Sequence, residues 1–197
     1  MVDPIRRHRT NGKLLYLIGP SGAGKDSLLQ ALPQQLPATA PVIIAQRFVT
    51  RDPGKGSENH ISLNHEMFRH WDAQGCFALT WASHGCLYGI GTDVDDWLTS
   101  GWHVLVNGSR AALDRAERHW GEALIPVTVR VDPSLLEQRL QARGREDAAA
   151  MRHRLERGKA LGEPNHPRTV VVDNNGAIEE ATAQLRQLVL GQEAGCG

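Results

Sequence analysis

Cysteine is scarce in this chain. Cys76, Cys86 and Cys196 are the only three among 197 residues, and no two of them make a C-x-x-C pair. That excludes a disulfide framework and points to reduced thiols in a cytoplasmic protein. The nine histidines are scattered, with no H-E-x-x-H and no Cys/His pairing, so no zinc site is expected. No apolar run exceeds strand length, which leaves no membrane-spanning helix to expect. The basic start "MVDPIRRHRTNGK" is followed by no apolar region of signal-peptide type. A charge excess is absent too: 22 basic residues face 22 acidic ones. That argues against nucleic acid or a membrane surface as partner, while allowing a local basic pocket. Oligomeric state is left open, a homodimer included.

What is present suits one globular domain. Hydrophobic residues make up 41% of the chain and charged residues 22%, in a length that can bury a core. Short β-branched runs alternate with helical patterns, which predicts a parallel sheet with helices on both faces. Strands are expected over 14–19, 42–49, 103–107, 125–131 and 168–174. Helices are expected to start near Lys25, Ser109, Ser134, Glu146 and Ala177. Asp132 and Pro133 suit the start of the third of these, and Gly144 its end. Between the second and third strands lies an excursion of about 50 residues with its own helical stretch "NHEMFRHWDAQG" and strand-like "CFALTWASHGCLYGIG". It reads as a small inserted lobe.

The strongest motif is "LLYLIGPSGAGKDSLL". Gly19, Pro20, Ser21, Gly22, Ala23, Gly24 and Lys25 fit the phosphate-binding loop G-x-x-x-x-G-K. The glycines let several backbone N–H groups face phosphate oxygens, and Lys25 adds a point charge. A strand before the loop and a helix after it supply the required context, so ATP is the expected ligand. The next position ordinarily carries a hydroxyl for Mg²⁺, yet it is Asp26. Three readings stand. Asp26 is an acid in a helix's first turn, or Ser27 supplies the hydroxyl from a neighbouring direction, or Asp26 is itself an oxygen ligand for Mg²⁺. The third gains from "HVLVNGSR", where Asn107 ends the strand that should carry an acid toward the metal.

The segment "RLQARGREDAAAMRHRLERG" is rich in arginine, with Arg139 and Arg143 one helical turn apart and Arg154 further on. Phosphoryl transfer needs cations around the migrating group, and a closing lid can bring them. "GPSGAGK", "VTRDP", "LYG", "RLQARGRED", Arg154 and "VVVDN" together resemble the guanylate kinase superfamily along nearly the whole chain. The resemblance implies an α/β fold of three layers: a P-loop NTPase core with a parallel central sheet, an inserted acceptor-binding lobe and an arginine lid. It places the core at 13–44, 101–138 and 162–192, the lobe near 45–100 and the lid near 139–158. It implies Arg139 on the ATP side, Arg143 and Arg154 bridging the two phosphates in catalysis with Lys25, and Arg51 and Tyr88 on the acceptor's phosphate.

Departures from that pattern bear on the substrate. The family's base-reading Glu stands nine residues before the matched Tyr, and here that position is Leu79. The D-x-D strand end is absent from "HVLVNGSR", and a second acceptor arginine is replaced by Gly54, while Arg47 and Arg110 are additional. Arg47 and Arg110 either line the pocket or lie on the surface. Glu58 and His60 either bind ribose hydroxyls or are loop residues, and Trp81 either contacts the acceptor or packs inside the lobe. "GPSGAGKDS", "FVTR", "ENH" and "VLVNGSR" closely resemble the ribose 1,5-bisphosphate phosphokinase branch of that superfamily. This implies ATP-dependent conversion of ribose 1,5-bisphosphate to 5-phosphoribosyl diphosphate, in phosphonate degradation. The alternatives are a nucleoside monophosphate kinase and a non-catalytic domain of the same fold, the latter at odds with the retained Lys25, Arg139, Arg143 and Arg154.

Overall fold

The first strand, β1 (Leu14–Ile18), is buried at every residue. Leu14, Tyr16 and Ile18 enter one apolar cluster and Leu15 and Leu17 another, so both faces of the strand are covered. The computed structural model describes residues 12–51, 60–142 and 166–191. In it β1 is the middle of a five-stranded sheet with β2 (Val42–Ile44), β7 (His103–Asn107), β8 (Leu124–Arg130) and β9 (Val170–Asp173). The order is β2-β7-β1-β8-β9, and each described pairing is parallel. A core of this kind is stabilised mainly by apolar burial, about 1.5–3 kcal/mol for each large side chain.

One face is covered by α1 (Lys25–Ala31), α5 (Pro133–Ala142) and α6 (Ile178–Gly191), through Leu28, Leu136, Leu140 and Leu185. The other is covered by α3 (Asp93–Thr99) and α4 (Leu113–Trp120), and by a second sheet. That sheet holds β3 (Arg47–Val49), β4 (His60–Ser62), β5 (Phe77–Ser83) and β6 (Cys86–Gly91), in the order β4-β3-β6-β5. It is mixed: β3 runs parallel to β4 and antiparallel to β6. Val49, Leu79, Trp81, Tyr88 and Ile90 belong to the same cluster as Tyr16, Val104 and Val106, so the two sheets share one core. The helix inside the excursion, α2 (His65–Ala73), is capped by Asn64, whose side chain accepts from Met67 N–H at 2.7 Å. Its Phe68 stacks on Phe77 with centroids 4.7 Å apart.

Two sequence expectations need correction. The run 42–49 is not one strand: Val42–Ile44 pairs with β7, and Arg47–Val49 pairs with β4 and β6 in the other sheet. The chain leaves the first sheet after Ala45 N–H bonds Leu105 O, and Arg47–Val49 then pair in the second. The helix expected at Ser109 begins instead as a 3-10 turn over Arg110–Ala112, and α4 starts at Leu113. Ser109 is extended because both its backbone groups are engaged by a side chain of β1, described below. The helix expected near Glu146 and the cap at Gly144 lie outside the described residues. No helix among the described residues is long and apolar enough to cross a membrane.

Candidate active site

The loop between β1 and α1 curls under four side chains from elsewhere in the chain. Gly24 precedes α1 with φ +89°, and a Cβ there would sit 2.4 Å from Asn174 Nδ2. Asn174, almost fully buried just after β9, uses that nitrogen to donate to Ala23 O at 2.7 Å. Leu136 and Leu140 of α5 press on Gly22, where a Cβ would lie 3.0 Å from each. Arg139 of α5 brings Nη1 to 4.0 Å from the Cβ position at Gly24, so it stands beside the loop. Lys25 Nζ donates to Gly19 O and Pro20 O, each at 3.0 Å, holding the ammonium over the loop.

Asn174 is braced by its neighbours. Asn175 Oδ1 accepts from Asp132 N–H at 2.7 Å, and Arg130 pairs with Asp173 at 3.1 Å. The Asn175 backbone N–H, with help from Arg130, holds the Asp173 carboxyl below its ordinary range.

Across the loop, Asn107 ends β7 and lies nearly buried. Its Nδ2 donates to Asp26 Oδ1 at 2.5 Å, while its Oδ1 is buried with no hydrogen-bond partner. Asp26 and Asn107 line a groove of about 320 Å³ with Leu29, Gln30, Ile44 and Arg47. Ser27 is exposed on α1 and takes no part in the Asp26–Asn107 bond.

Two cations follow along β3 and just beyond it, and of these Arg47 also lines the groove. Arg51 Nη2 donates to Tyr88 Oη at 2.8 Å. Thr50 fixes the approach by exchanging bonds with Leu87: its N–H gives to Leu87 O at 3.0 Å, and its Oγ1 accepts from Leu87 N–H at 2.8 Å. Tyr88 stacks on Trp81, centroids 5.4 Å apart and planes 3° from parallel. Arg47 lies over both rings, 5.2 Å from Tyr88 and 5.8 Å from Trp81. His60 stands beside Arg47 as its partner in the sheet and bonds Ser62 Oγ at 3.2 Å. Leu79 is buried opposite Ile90 on β6.

A feature that the sequence pattern did not reveal is the clasp between Tyr16 and Ser109. Tyr16 Oη accepts from Ser109 N–H at 2.9 Å and lies 3.2 Å from Ser109 O, to which it donates. Gly108 lets the ring approach, since a Cβ there would sit 2.2 Å from it. Burial pushes the Tyr16 phenol up to about 12. The clasp sets the start of the turn that carries the half-buried Arg110. Arg115, also unforeseen, donates to Thr80 O and ties α4 to β5. Glu58, Arg143 and Arg154 lie outside the described residues.

The sequence model of the guanylate kinase family matches residues 11–192. The ribose 1,5-bisphosphate phosphokinase PhnN of Enterobacter lignolyticus is 43% identical over 178 residues, covering 90% of this chain and 92% of that protein. The chain belongs to the ribose 1,5-bisphosphate phosphokinase branch of the guanylate kinase family. The protein of the same name from Desulfomicrobium baculatum is 44% identical over 178 residues, covering 90% of this chain and 94% of the relative. A guanylate kinase from Anaplasma phagocytophilum shares the fold with TM-score 0.67 at 16% identity, over 93% of this chain and 87% of that one. In this chain the loop Asp26 and the strand-end Asn107 face each other, and Leu79 shares the apolar cluster of Tyr88.

Proposed function

We propose that the protein transfers the γ-phosphoryl group of ATP to the 1-phosphate of ribose 1,5-bisphosphate, giving 5-phosphoribosyl diphosphate and ADP. The observation that carries the reading is the acceptor wall. Two arginines, Arg51 and Arg47, converge on Tyr88, while the base-reading position is a buried leucine, Leu79. A leucine offers no hydrogen bond to a base edge, and such a loss in a polar-readout site is costly. Two cations on one phenol suit an acceptor with more phosphate and no base.

ATP is taken by the loop 19–25, whose glycines let backbone N–H groups face the phosphates, with Arg139 alongside. Lys25 leaves the loop carbonyls to meet the β- and γ-phosphates. An oxygen of the acceptor's 1-phosphate attacks the γ-phosphorus, a new P–O bond forms, and the bond to the β-phosphate oxygen breaks, releasing ADP. The attacking oxygen is already anionic, so no strong general base is required. Catalysis is positioning and charge neutralisation by Lys25, Arg51 and the lid arginines Arg143 and Arg154.

Mg²⁺ fits the residues present. The Asp26 carboxylate and the orphaned Asn107 Oδ1 are hard oxygen donors at one edge of the loop. When bound, the ion spreads the charge developing on the β- and γ-phosphates. Its holding by Asp26 and Asn107 is part of the proposal. So is an intracellular setting, which suits the free thiols of Cys76 and Cys86.

A phosphorus NMR time course with ATP, Mg²⁺ and either ribose 1,5-bisphosphate or GMP tests the reading. Sugar diphosphate signals growing only with ribose 1,5-bisphosphate are expected. GDP formation instead would overturn it.

A further inference from the structure

We propose that Tyr16 is a positioning residue for the metal end of the site: its clasp on Ser109 sets the backbone that aims the Asn107 amide at the phosphate loop. The inference rests on the reading that Asp26 and Asn107 hold the Mg²⁺ of ATP.

The composition of β1 makes the phenol stand out. The strand reads Leu-Leu-Tyr-Leu-Ile, and every residue of it is buried. A hydroxyl in such a strand is costly unless it is hydrogen-bonded, and a phenylalanine would fill nearly the same volume without that cost. The hydroxyl is satisfied twice, and both partners are backbone groups of one residue, Ser109. Filling the core does not require that.

The course of β1 explains why Ser109 takes a side-chain partner. The register of β1 with β7 ends at Leu17↔Asn107, and Gly108 N–H then donates to Leu17 O at 2.7 Å. Continuing the register would put Ser109 opposite Gly19, where the chain has already turned into the phosphate loop. Ser109 is therefore extended beside a strand that has left the sheet. The Tyr16 hydroxyl stands in for the missing strand, accepting from the N–H and donating to the C=O.

Asn107 is caught among these restraints. Its backbone is paired with Leu17, the two residues after it are held by β1, and its Nδ2 donates to Asp26 at 2.5 Å. Gly108 lets the Tyr16 ring lie directly against the turn, since a Cβ there would sit 2.2 Å from Tyr16 Cζ. With the amide nitrogen engaged by Asp26, the aim of the buried Oδ1 depends on where the Asn107 backbone stands. A metal ligand tolerates little displacement, so slack in the turn after residue 107 weakens the metal site. One strand thus runs into the phosphate loop and, through its middle side chain, sets the amide across from it.

The test measures Mn²⁺ binding by its paramagnetic signal, with a non-hydrolysable ATP analogue present. Wild type, Tyr16→Phe, Asn107→Ala and the double variant are compared. Tyr16→Phe should raise Kd for Mn²⁺ about tenfold, the low end for residues that stand behind a metal ligand. The number of ions bound per chain counts folded protein. A fall in that number with Kd unchanged is what a merely structural role gives, and it would overturn the proposal. In the Asn107→Ala background, Tyr16→Phe should alter Kd by less than about twofold, because Tyr16 acts through Asn107. Equal factors in both backgrounds would also overturn it. If Tyr16→Phe has no cooperative melt, hydrogen exchange at Ser109 N–H of wild type carries the test. Linkage is reciprocal, so Mn²⁺ with the analogue should slow that exchange about tenfold beyond any change at Leu63 N–H, which bonds Val49 O at 3.0 Å. An equal response at both amides would overturn the role of Tyr16. An Asn107→Ala variant that binds Mn²⁺ as tightly as wild type would overturn the underlying metal reading instead.

Discussion

Asn107 Nδ2 donates to Asp26 Oδ1 across 2.5 Å, joining the end of β7 to the first turn of α1. The sequence puts a carboxylate where the loop should have a hydroxyl and an amide where the strand should have an acid. The bond puts the two departures in direct contact. The amide's nitrogen satisfies one carboxylate oxygen, and its own buried oxygen is left without a partner in the groove. An orphaned buried oxygen is costly unless a ligand meets it.

The exchange predicts a metal phenotype. Asp26→Ser should raise the Mg²⁺ concentration for half-maximal rate by about tenfold, the scale on which neighbours of a metal change its affinity. Asp26→Ser combined with Asn107→Asp should return most of it, because the acid is then restored on the strand. Both are read by Mg²⁺ titration at saturating ATP, and by displacement of Mn²⁺ followed by its paramagnetic signal. An unchanged titration in Asp26→Ser would leave the carboxylate a helix-turn acid only.

Tyr88 offers a second prediction, because its ring and its hydroxyl do different things. Tyr88→Phe keeps the ring stacked on Trp81 beneath Arg47 and removes the hydroxyl that accepts from Arg51. Arg51 then loses the contact that fixes its aim. KM for the sugar should rise about tenfold with KM for ATP unchanged, as for loss of one hydrogen bond to a charged group. A change in the ATP constant instead would place Tyr88 outside the acceptor wall.

The sequence was most legible where chemistry needs fixed spacing. The phosphate loop and the existence of five core strands could be read, because glycine spacing and β-branched runs are local signals, whereas Arg51 and Tyr88 were singled out only by the family resemblance. What could not be read depended on contacts far apart in the chain. The break at Ala45–Gln46 marks a change of pairing partner, from β7 to β4 and β6, that composition does not announce. The Tyr16–Ser109 clasp joins residues 93 positions apart, and Asn174 reaches Ala23 across 151. A buried Tyr within a Leu/Ile run carries no hint of which backbone its hydroxyl will meet.

The Asn174 brace makes Gly24 intolerant of any side chain. Gly24→Ala would have to adopt φ +89° and displace Asn174 Nδ2 from 2.4 Å, breaking its bond to Ala23 O. Left-handed strain costs about 1–2 kcal/mol and an unsatisfied buried group about 1–3. A loss of about 3 kcal/mol in urea unfolding is expected from these two terms, with ATP affinity lost alongside. Adding Asn174→Ala should relieve the clash but not the strain, so part of the loss should remain. Full recovery in the double variant would mean that backbone conformation at Gly24 is of no account.

Tyr16 gives the last prediction, an alkaline one. Its phenol is pushed up to about 12 by burial, against an ordinary 10 in the unfolded chain. Below pH 10 both states hold the proton and the clasp on Ser109 contributes in full. Between pH 10 and about 12 the unfolded chain releases the proton while the folded one keeps it, so stability falls as pH rises. Two units correspond to about 3 kcal/mol at the top of that window. Tyr16→Phe removes the titration and the clasp together. At pH 8 the variant should be less stable by about 1–3 kcal/mol, since Ser109 N–H and C=O lose their partner. The gap should narrow as pH climbs from 10, because only wild type has this proton to lose. Urea midpoints of the two proteins across pH 8 to 11.5 measure it. Parallel curves would show that the Tyr16 phenol is not raised above its unfolded value by the fold, and equal midpoints at pH 8 that the clasp contributes nothing to the fold.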